Sequence, residues 1–252
     1  MKAYKLTDRN MKTHNNTQWV LNEAKETSGK GYLCSPGWFH FYSHPLLAVL
    51  LNSLHANFNN PRLFEINAEG KIKKGNGLKF GCTKMTLVKE LELPKVTLEQ
   101  RVKFGILCAL EVCNDDNFVK WAQNWLDGTD RSYDSANTAY YAAYYAANAA
   151  YDAAAYDAAA YYAANAAANA AYTAANAAAY AANAAANAAA ATYYAEIAVY
   201  AADYAVKADY AADYADYAAD AAADAAKAAT INRAKNKKKQ LDLIKIAKNT
   251  AK

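Results

Sequence analysis

Residues 161–187 have the sequence YYAANAAANAAYTAANAAAYAANAAAN, and this stretch decides the fold class of the C-terminal half. Alanine is the strongest helix former, and no glycine or proline follows Gly128 to interrupt it. The tyrosines and asparagines recur at steps of three and four residues, which keeps them inside a helical stripe about 80° wide. The stretch therefore predicts a helix with one polar and aromatic stripe on an alanine surface.

The same composition extends over residues 131–230, which contain 53 alanines and 18 of the chain's 21 tyrosines. We expect helix throughout 133–230, as one continuous helix or as a helical hairpin or bundle. A single straight helix would span about 147 Å at ~1.5 Å per residue. An exposed alanine face of this length tends to associate, so we expect it to pack against another helix, the N-terminal domain or a second copy.

Two shorter helices are predicted just before this repeat. Thr97 and Gln100 have the spacing of a capping box, in which each side chain satisfies a backbone donor of the other residue. Asp115 or Asp116 caps the second helix, and Gly128 ends it. That helix places four apolar residues on one face: Phe118, Trp121, Ala122 and Trp125.

The first 94 residues are typical of a small α+β unit. The Leu-rich segment that begins at His44-Pro45 predicts a buried helix. The turn Gly75-Asn76-Gly77 predicts a hairpin between Ile72–Lys74 and Leu78–Phe80. Other extended segments are predicted at Lys2–Thr7, Gln18–Leu21, Trp38–Tyr42, Leu63–Ile66 and Cys82–Leu93.

The predicted fold class is therefore α+β, with a small N-terminal α+β domain, two linking helices and a long alanine-rich helical region. The predicted boundaries are residues 1–94 for the α+β domain and 95–128 for the linking helices. The Ala/Tyr/Asn/Asp-rich helical repeat covers 129–230, and a basic amphipathic tail covers 231–252.

Charge is strongly segregated along the chain. The net charge is +4 in residues 1–130, −7 in 131–230 and +7 in the tail. The tail lysines suit a solvated helix end, a docking partner for the acidic helix, or a contact with nucleic acid or membrane. The residues we predict to bind protein combine the acidic face, its tyrosines and the tail: Asp209, Asp213, Asp216, Asp220, Asp224, Tyr210, Tyr214, Tyr217, Lys237, Lys238 and Lys239.

Motifs of common enzyme and metal sites are absent from the sequence. Cys34, His40 and His44 have the spacing C-x5-H-x3-H, but no fourth ligand is spaced to match. No GxSxG, GxGxxG, HExxH or P-loop pattern occurs. We therefore predict no enzyme activity, no catalytic residues, no cofactor and no metal.

Features of export and membrane insertion are also absent. The first eight residues carry charge where a signal peptide needs an apolar core, and polar residues interrupt the alanine run too often for a membrane helix. The four cysteines lack CxxC spacing, which favours free thiols in a reducing compartment. We expect the protein in the cytoplasm.

Short segments carry a resemblance to a known group of proteins. In the N-terminal part they are Met1–Lys5, Gly37–Phe41 with Pro45-Leu46, Arg62–Ile66, Thr83–Met85 and Lys89–Leu91. These segments resemble an N-terminal domain of unknown function in bacteriophage and prophage proteins. The junction Phe118–Ser132 is similar to the one that precedes an alanine-rich repeat in such proteins, and some immunity proteins have a related junction. Lys239–Ile244 resembles their closing segment.

The resemblance implies a phage origin and a bacterial host cell, and it supplies no activity and no site residues. The asparagine-rich middle of the repeat departs from the more usual charged repeats of these proteins. We expect a non-enzymatic interaction protein that binds a host or phage protein and that could counter host defence. Self-association through the alanine faces is a further expected contact, whereas nucleic-acid or membrane contact by the tail is less expected.

Two other functional classes remain open. A structural scaffold or spacer could be built on the long helix. An ice-binding helix is the third class, because alanine-rich eleven-residue repeats resemble the flatfish-type antifreeze proteins. Those proteins need threonine every eleven residues, whereas Thr173 and Thr192 are nineteen apart, so this class is the least favoured.

Overall fold

A computed structural model describes residues 3–75, 78–153, 158–193, 217, 219–229 and 242–250. The chain divides into two compact units, one of residues 1–96 with 239–252 and the other of residues 97–238. This division differs from the predicted boundaries. The two linking helices fall in one unit with the repeat, and the end of the tail falls in the N-terminal unit.

The described strands lie between residues 3 and 91, and the longer helices follow them in the chain. The strands are β1 Ala3–Thr7, β2 Lys12–Thr13, β3 Thr17–Gln18, β4 Ala24–Glu26, β5 Phe39–Phe41, β6 Arg62–Gly75 and β7 Lys79–Leu91. The helices are α1 Pro45–Leu50, α2 Asn52–His55, α3 Leu98–Leu110, α4 Asp116–Asp127, α5 Tyr133–Ala153, α6 Ala158–Tyr193 and α7 Leu243–Thr250. Residues 219–229 are also helical. The α+β class predicted from the sequence is thereby confirmed.

A long hairpin of β6 and β7 dominates the N-terminal unit. The register runs from the pair Leu63 and Leu91 to the pair Gly75 and Lys79, which confirms the predicted hairpin. The turn residues Asn76 and Gly77 lie outside the described residues. The sequence predicted several shorter strands here, but irregularities in the register bend the ladder without ending it.

The strands of this unit close into a ring. β1 pairs with β6, β6 with β7, and β7 with β5. Tyr4 and Tyr42 then join β1 to β5 through two backbone hydrogen bonds of 2.8 and 2.7 Å. β4 pairs with β7 beside β5. The main core cluster comprises Ala3, Trp19, Phe41, Phe64, Ile66, Cys82, Met85 and Leu87.

The described residues of the N-terminal unit form three helices. The predicted Leu-rich helix is confirmed but is divided at Leu51 into α1 and α2. His44 caps α1, because its Nδ1 accepts a hydrogen bond of 3.2 Å from the Leu46 backbone N–H. α7 contacts α1 and buries four side chains, those of Leu243, Ile246, Ala247 and Thr250. The described end of the tail is thus a packed helix of this unit.

The second unit begins with the two helices that the capping pattern predicted. The reciprocal Thr97–Gln100 capping box opens α3, and the Asp115 carboxylate caps α4 through the Phe118 backbone N–H at 2.9 Å. Gly128 ends α4 with φ 84°, in the left-handed region that favours glycine. Arg131 then stacks 4.6 Å from the centre of the Trp125 ring, which fixes the start of α5.

The repeat folds back on itself. Only four residues separate α5 from α6, and the two helices contact each other along their lengths, so they run antiparallel. α6 also contacts α3. Tyr217 and the helical residues 219–229 lie antiparallel to α6, since Tyr217 contacts Tyr172 whereas Lys227, further along the chain, contacts Tyr162. The described part of the repeat is therefore a helical bundle, one of the predicted arrangements.

Alanine surfaces form the interior of this bundle. Eight of the alanines of α6 whose side chains the structure describes are buried: Ala159, Ala166, Ala167, Ala168, Ala170, Ala171, Ala174 and Ala175. Thr173 is buried with them, and its hydroxyl donates to the Asn169 carbonyl oxygen at 2.7 Å. Small side chains permit this close approach of backbones, and the expected helical partner for the alanine surface is present within the chain.

Candidate functional site

Most of the predicted protein-binding residues lie outside the described part of the chain. These are Asp209, Asp213, Asp216, Tyr210, Tyr214, Lys237, Lys238 and Lys239. The structure describes the other three, Tyr217, Asp220 and Asp224, in the segment that packs on α6. It brings these three residues together on one segment.

The contacts of these residues are internal to the helical unit. The Tyr217 ring lies edge-on to Tyr172, with 4.6 Å between ring centres. The Asp224 carboxylate accepts a hydrogen bond of 3.3 Å from the Asn169 amide and pairs with Lys227 at 3.0 Å. Asp220 is half-buried. Asp224 therefore contributes to the bundle through Asn169, whereas Asn165 and Asn176 of the same stripe donate to carbonyl oxygens of their own helix.

A second group of tyrosines lies exposed on α5. Tyr133, Tyr141, Tyr144 and Tyr145, which we call the tyrosine face, are 45%, 47%, 43% and 65% exposed. At 100° per residue they lie within an arc of about 120° of the helix surface. The Tyr145 ring contacts two of the others, with centres 5.8 Å from Tyr144 and 6.4 Å from Tyr141. These three rings form a continuous aromatic patch, and Tyr133 lies on the same side of the helix.

The inner side of α5 explains why these rings face solvent. Ala136 and Ala143 are buried on the side of the helix away from the tyrosine face. Tyr140, at the edge of the face, contacts Tyr172 of α6 with ring centres 5.0 Å apart and ring planes tilted by 51°, and it connects the exposed rings to the interior. Hence the bundle fixes α5 in one orientation and holds the tyrosines outward.

The charge of α5 is acidic. Between Tyr133 and Ala153 the helix contains Asp134 and Asp152 and has no lysine or arginine. Electron-rich tyrosine rings attract cations, and the exposed Asp134 carboxylate adds to that attraction. The surface is therefore chemically suited to lysine and arginine side chains.

A cavity of about 420 Å³ lies in the N-terminal unit. Lys5 reaches it from β1, and its Nζ donates a hydrogen bond of 3.0 Å to the His40 carbonyl oxygen. The same Nζ lies 5.0 Å from the centre of the Trp19 ring. Because Lys5 is buried among apolar residues, its pKa is lowered to about 8.

Histidine and tyrosine side chains form the other polar part of the cavity wall. The His55 Nδ1 lies 3.1 Å from the Tyr42 hydroxyl, and the His40 Nε2 contacts the Leu33 carbonyl oxygen. Burial lowers the pKa of His40 to about 4 and that of His55 to about 3, so both rings are neutral near pH 7. Burial raises the pKa of the Tyr42 hydroxyl well above its usual value.

The spacing of Cys34, His40 and His44 does not produce a metal site in the described residues. His40 contacts Leu33, and His44 caps α1. No group of three or more His, Cys, Asp or Glu side chains suitable for a metal occurs where the structure describes the chain. All four cysteines are free, with Cys34 exposed and the other three buried. No described helix is long and apolar enough to cross a membrane.

Sequence reasoning missed both Lys5 and the tyrosine face. Strand alternation places Lys5 on the same side of β1 as Ala3, and Lys5 pairs in register with Phe64 of the core. A lysine at that position is usually solvated, so alternation alone gave no sign of its burial. For α5, the run of paired tyrosines at 140–141 and 144–145 was the available sign.

Comparison with known proteins identifies only the N-terminal part. No curated protein and no solved structure matches the chain significantly. Residues 1–99 match the model of a family described as a Domain of unknown function (DUF7666). This match covers both the β ring and the cavity that contains Lys5. The match is confined to these residues, so the similarity concerns the N-terminal domain alone.

Proposed function

We propose that the protein is a non-enzymatic interaction protein that binds another protein through the tyrosine face of α5. The observation that carries this proposal is the group of four exposed tyrosines on a helix fixed by the bundle, three of which, Tyr141, Tyr144 and Tyr145, are joined by ring contacts. Tyrosine supplies a large contact area with little loss of side-chain entropy, and it is enriched among residues that dominate binding energy.

The chemistry of the face specifies the kind of partner. Because α5 carries two carboxylates and no basic residue, the partner surface is rich in lysine or arginine. Each cation over a tyrosine ring contributes ~0.5–1 kcal/mol at an exposed site. Several such contacts together, with burial of the rings, are enough for specific binding.

We further propose a bacteriophage or prophage origin and a site of action in the cytoplasm of the bacterial host. The resemblance of the N-terminal segments and of the junction at Phe118–Ser132 to phage proteins supports this origin. Interference with a host defence system is the narrower form of the proposal, and it rests on the origin alone.

The other two functional classes receive less support. A spacer would favour an extended helix, whereas the described helices fold back on one another. An ice-binding helix needs exposed threonines, and Thr173 is buried in α6.

The test is quantitative capture of proteins from a bacterial lysate, with three forms of the full chain as bait. Wild type is compared with the variant Tyr141→Ser/Tyr144→Ser/Tyr145→Ser, whose changes are confined to an exposed face. Tyr32→Ser is the control, because Tyr32 is a 73% exposed tyrosine of the N-terminal unit. The triple variant should capture its partner at least about tenfold less than wild type does, which corresponds to a loss of ~1.4 kcal/mol in binding free energy. Tyr32→Ser should capture as much as wild type. Equal capture by all three baits would refute the assignment of the face.

A further inference from the structure

The cavity of the N-terminal unit combines basic and aromatic side chains. Its basic groups are the Lys5 and Lys79 amines, and histidine rings lie beside them. None of the described residues that line it carries a carboxylate. Its volume of about 420 Å³ falls within the range of ~300–1,000 Å³ that is typical of small-molecule sites.

Lys5 is a buried basic residue that has no carboxylate partner among the described residues. Its ammonium group can donate three hydrogen bonds, and the structure gives it one protein acceptor, the His40 carbonyl oxygen. Within the described part of the chain, no carboxylate lies within 4.0 Å of its Nζ. Buried lysines are normally paired, because an unpaired charge in the interior is costly.

The remaining cavity wall is suited to a flat apolar group. Trp38, Phe39 and Phe58 line the cavity together with Tyr42. Rings of this kind bind other rings by stacking or edge contact. The hydroxyls of Thr13 and Ser35 also line the cavity and can serve as hydrogen-bonding groups for a polar substituent.

We infer that this cavity binds a small molecule in which a phosphate or carboxylate is joined to a flat ring. The anionic group pairs with the Lys5 ammonium, and Lys79 adds positive charge. The ring packs against the aromatic wall. This site is separate in its residues from the tyrosine face, so the inference stands independently of the proposed protein-binding function.

Burial of Lys5 also separates this role from a structural one. A lysine that stabilised the fold would have a carboxylate partner, or its charged group would reach solvent. An unpaired buried ammonium instead stores unfavourable energy, which an anionic ligand releases when it supplies the missing charge. The affinity of the cavity for a ligand should therefore depend on the negative charge of that ligand.

The first test is titration calorimetry of the full chain in a buffer free of phosphate and carboxylate. The probes are uridine monophosphate with uridine, and benzoate with benzamide, so that each anion has an uncharged match. One anionic probe should bind at least about tenfold more tightly than its match, a difference of ~1.4 kcal/mol. Tighter binding of uridine monophosphate than of uridine identifies a phosphate ligand. Tighter binding of benzoate than of benzamide identifies a carboxylate ligand. Failure of both anions, or equal binding of an anion and its match, would overturn the inference.

Two substitutions localise the binding. Lys5→Met keeps the length of the side chain and removes its charge, and it should weaken the anionic probe at least about tenfold. Lys89→Met makes the same change at an exposed lysine of β7 and should leave affinity unchanged. Circular dichroism establishes that both variants are folded. Unchanged affinity in Lys5→Met would overturn the assignment of Lys5.

A measurement on the wild-type protein avoids any effect of mutation. NMR of the Lys5 side chain follows its titration with and without the bound probe. An anion next to Nζ favours the charged form, so the pKa of Lys5 should rise from about 8 when the probe is bound. An unchanged pKa at saturation would show that the anion does not pair with Lys5, and this result would overturn the inference.

Discussion

At the scale of single residues, Lys5 and His55 are ionisable side chains in largely apolar surroundings. Both lie in the N-terminal cavity, and burial disfavours the charged form of each. The two side chains differ in their charge state at neutral pH. Lys5 retains its charge at neutral pH at an energetic cost, whereas His55 avoids that cost because it stays neutral.

We predict that Lys5→Met stabilises the free protein. The change removes a buried, unpaired ammonium and fills its space with an apolar side chain, which should raise the free energy of unfolding by about 1–3 kcal/mol near pH 7. Urea unfolding measures the change, and Lys89→Met is the matched control with little effect. A destabilised Lys5→Met protein would mean that the Lys5 charge is compensated in the folded state.

We predict that acid weakens the fold through His55. The unfolded chain protonates His55 near pH 6.5, and the folded chain does so only near pH 3. The free energy of unfolding should therefore be fully retained above pH 6.5 and fall as the pH decreases from 6.5 toward 3. The slope from this residue is at most about 1.4 kcal/mol per pH unit.

Urea unfolding between about pH 7.5 and about pH 4.5 measures this slope. His55→Gln should reduce it, because the variant has no ring to protonate. His14→Gln changes an exposed histidine and serves as the control with the slope of the wild type. An unchanged slope in His55→Gln would assign the acid sensitivity to other groups.

At the scale of elements, local signals explain the helices well. Asp115 and Gly128 mark α4 because an acceptor at the first turn and a left-handed residue at the end are local requirements. The short strands β2 and β4 were not predicted as strands, since two or three residues are too few to show an alternation, and the pairing of β4 depends on the distant strand β7. Long-range pairing likewise joined the predicted short segments into β6 and β7.

The packing of α6 yields a prediction at the same scale. Ala171→Leu adds bulk to a position that is fully buried between helices, so it should lower the free energy of unfolding by about 1–3 kcal/mol. Ala181→Leu makes the same change at an exposed position of α6 and should alter stability by less than about 0.5 kcal/mol. Urea unfolding followed by circular dichroism compares the two variants. Equal stabilities would contradict the tight alanine packing.

At the scale of the whole molecule, the chain returns to its N-terminal unit at its end. The composition of the tail predicted a basic amphipathic segment, and α7 does present an apolar side to α1 and Lys245 and Lys248 to solvent. The position of α7 was not predictable, because no local pattern specifies which of several apolar surfaces a terminal helix will contact. The tyrosine face was missed for a similar reason, since exposure depends on which side of α5 the bundle covers.

We predict that the N-terminal unit depends on α7 for part of its stability. Ile246→Asp places a charge on the buried side of α7, which should detach the helix and destabilise the unit by about 2–4 kcal/mol. Hydrogen exchange of α1 should become faster in this variant. Lys248→Gln, at an exposed position of the same helix, is the control. Unchanged exchange of α1 would show that α7 adds no stability.

Oxidative footprinting of the captured complex shows whether the partner binds at the tyrosine face. Hydroxyl radicals label exposed tyrosines, and mass spectrometry compares their labelling in the free chain and in the complex. We predict that the partner protects Tyr141, Tyr144 and Tyr145 from labelling, whereas Tyr32 of the N-terminal unit is labelled equally in both states. Equal labelling of Tyr141, Tyr144 and Tyr145 with and without the partner would contradict the assignment of this face as the binding surface.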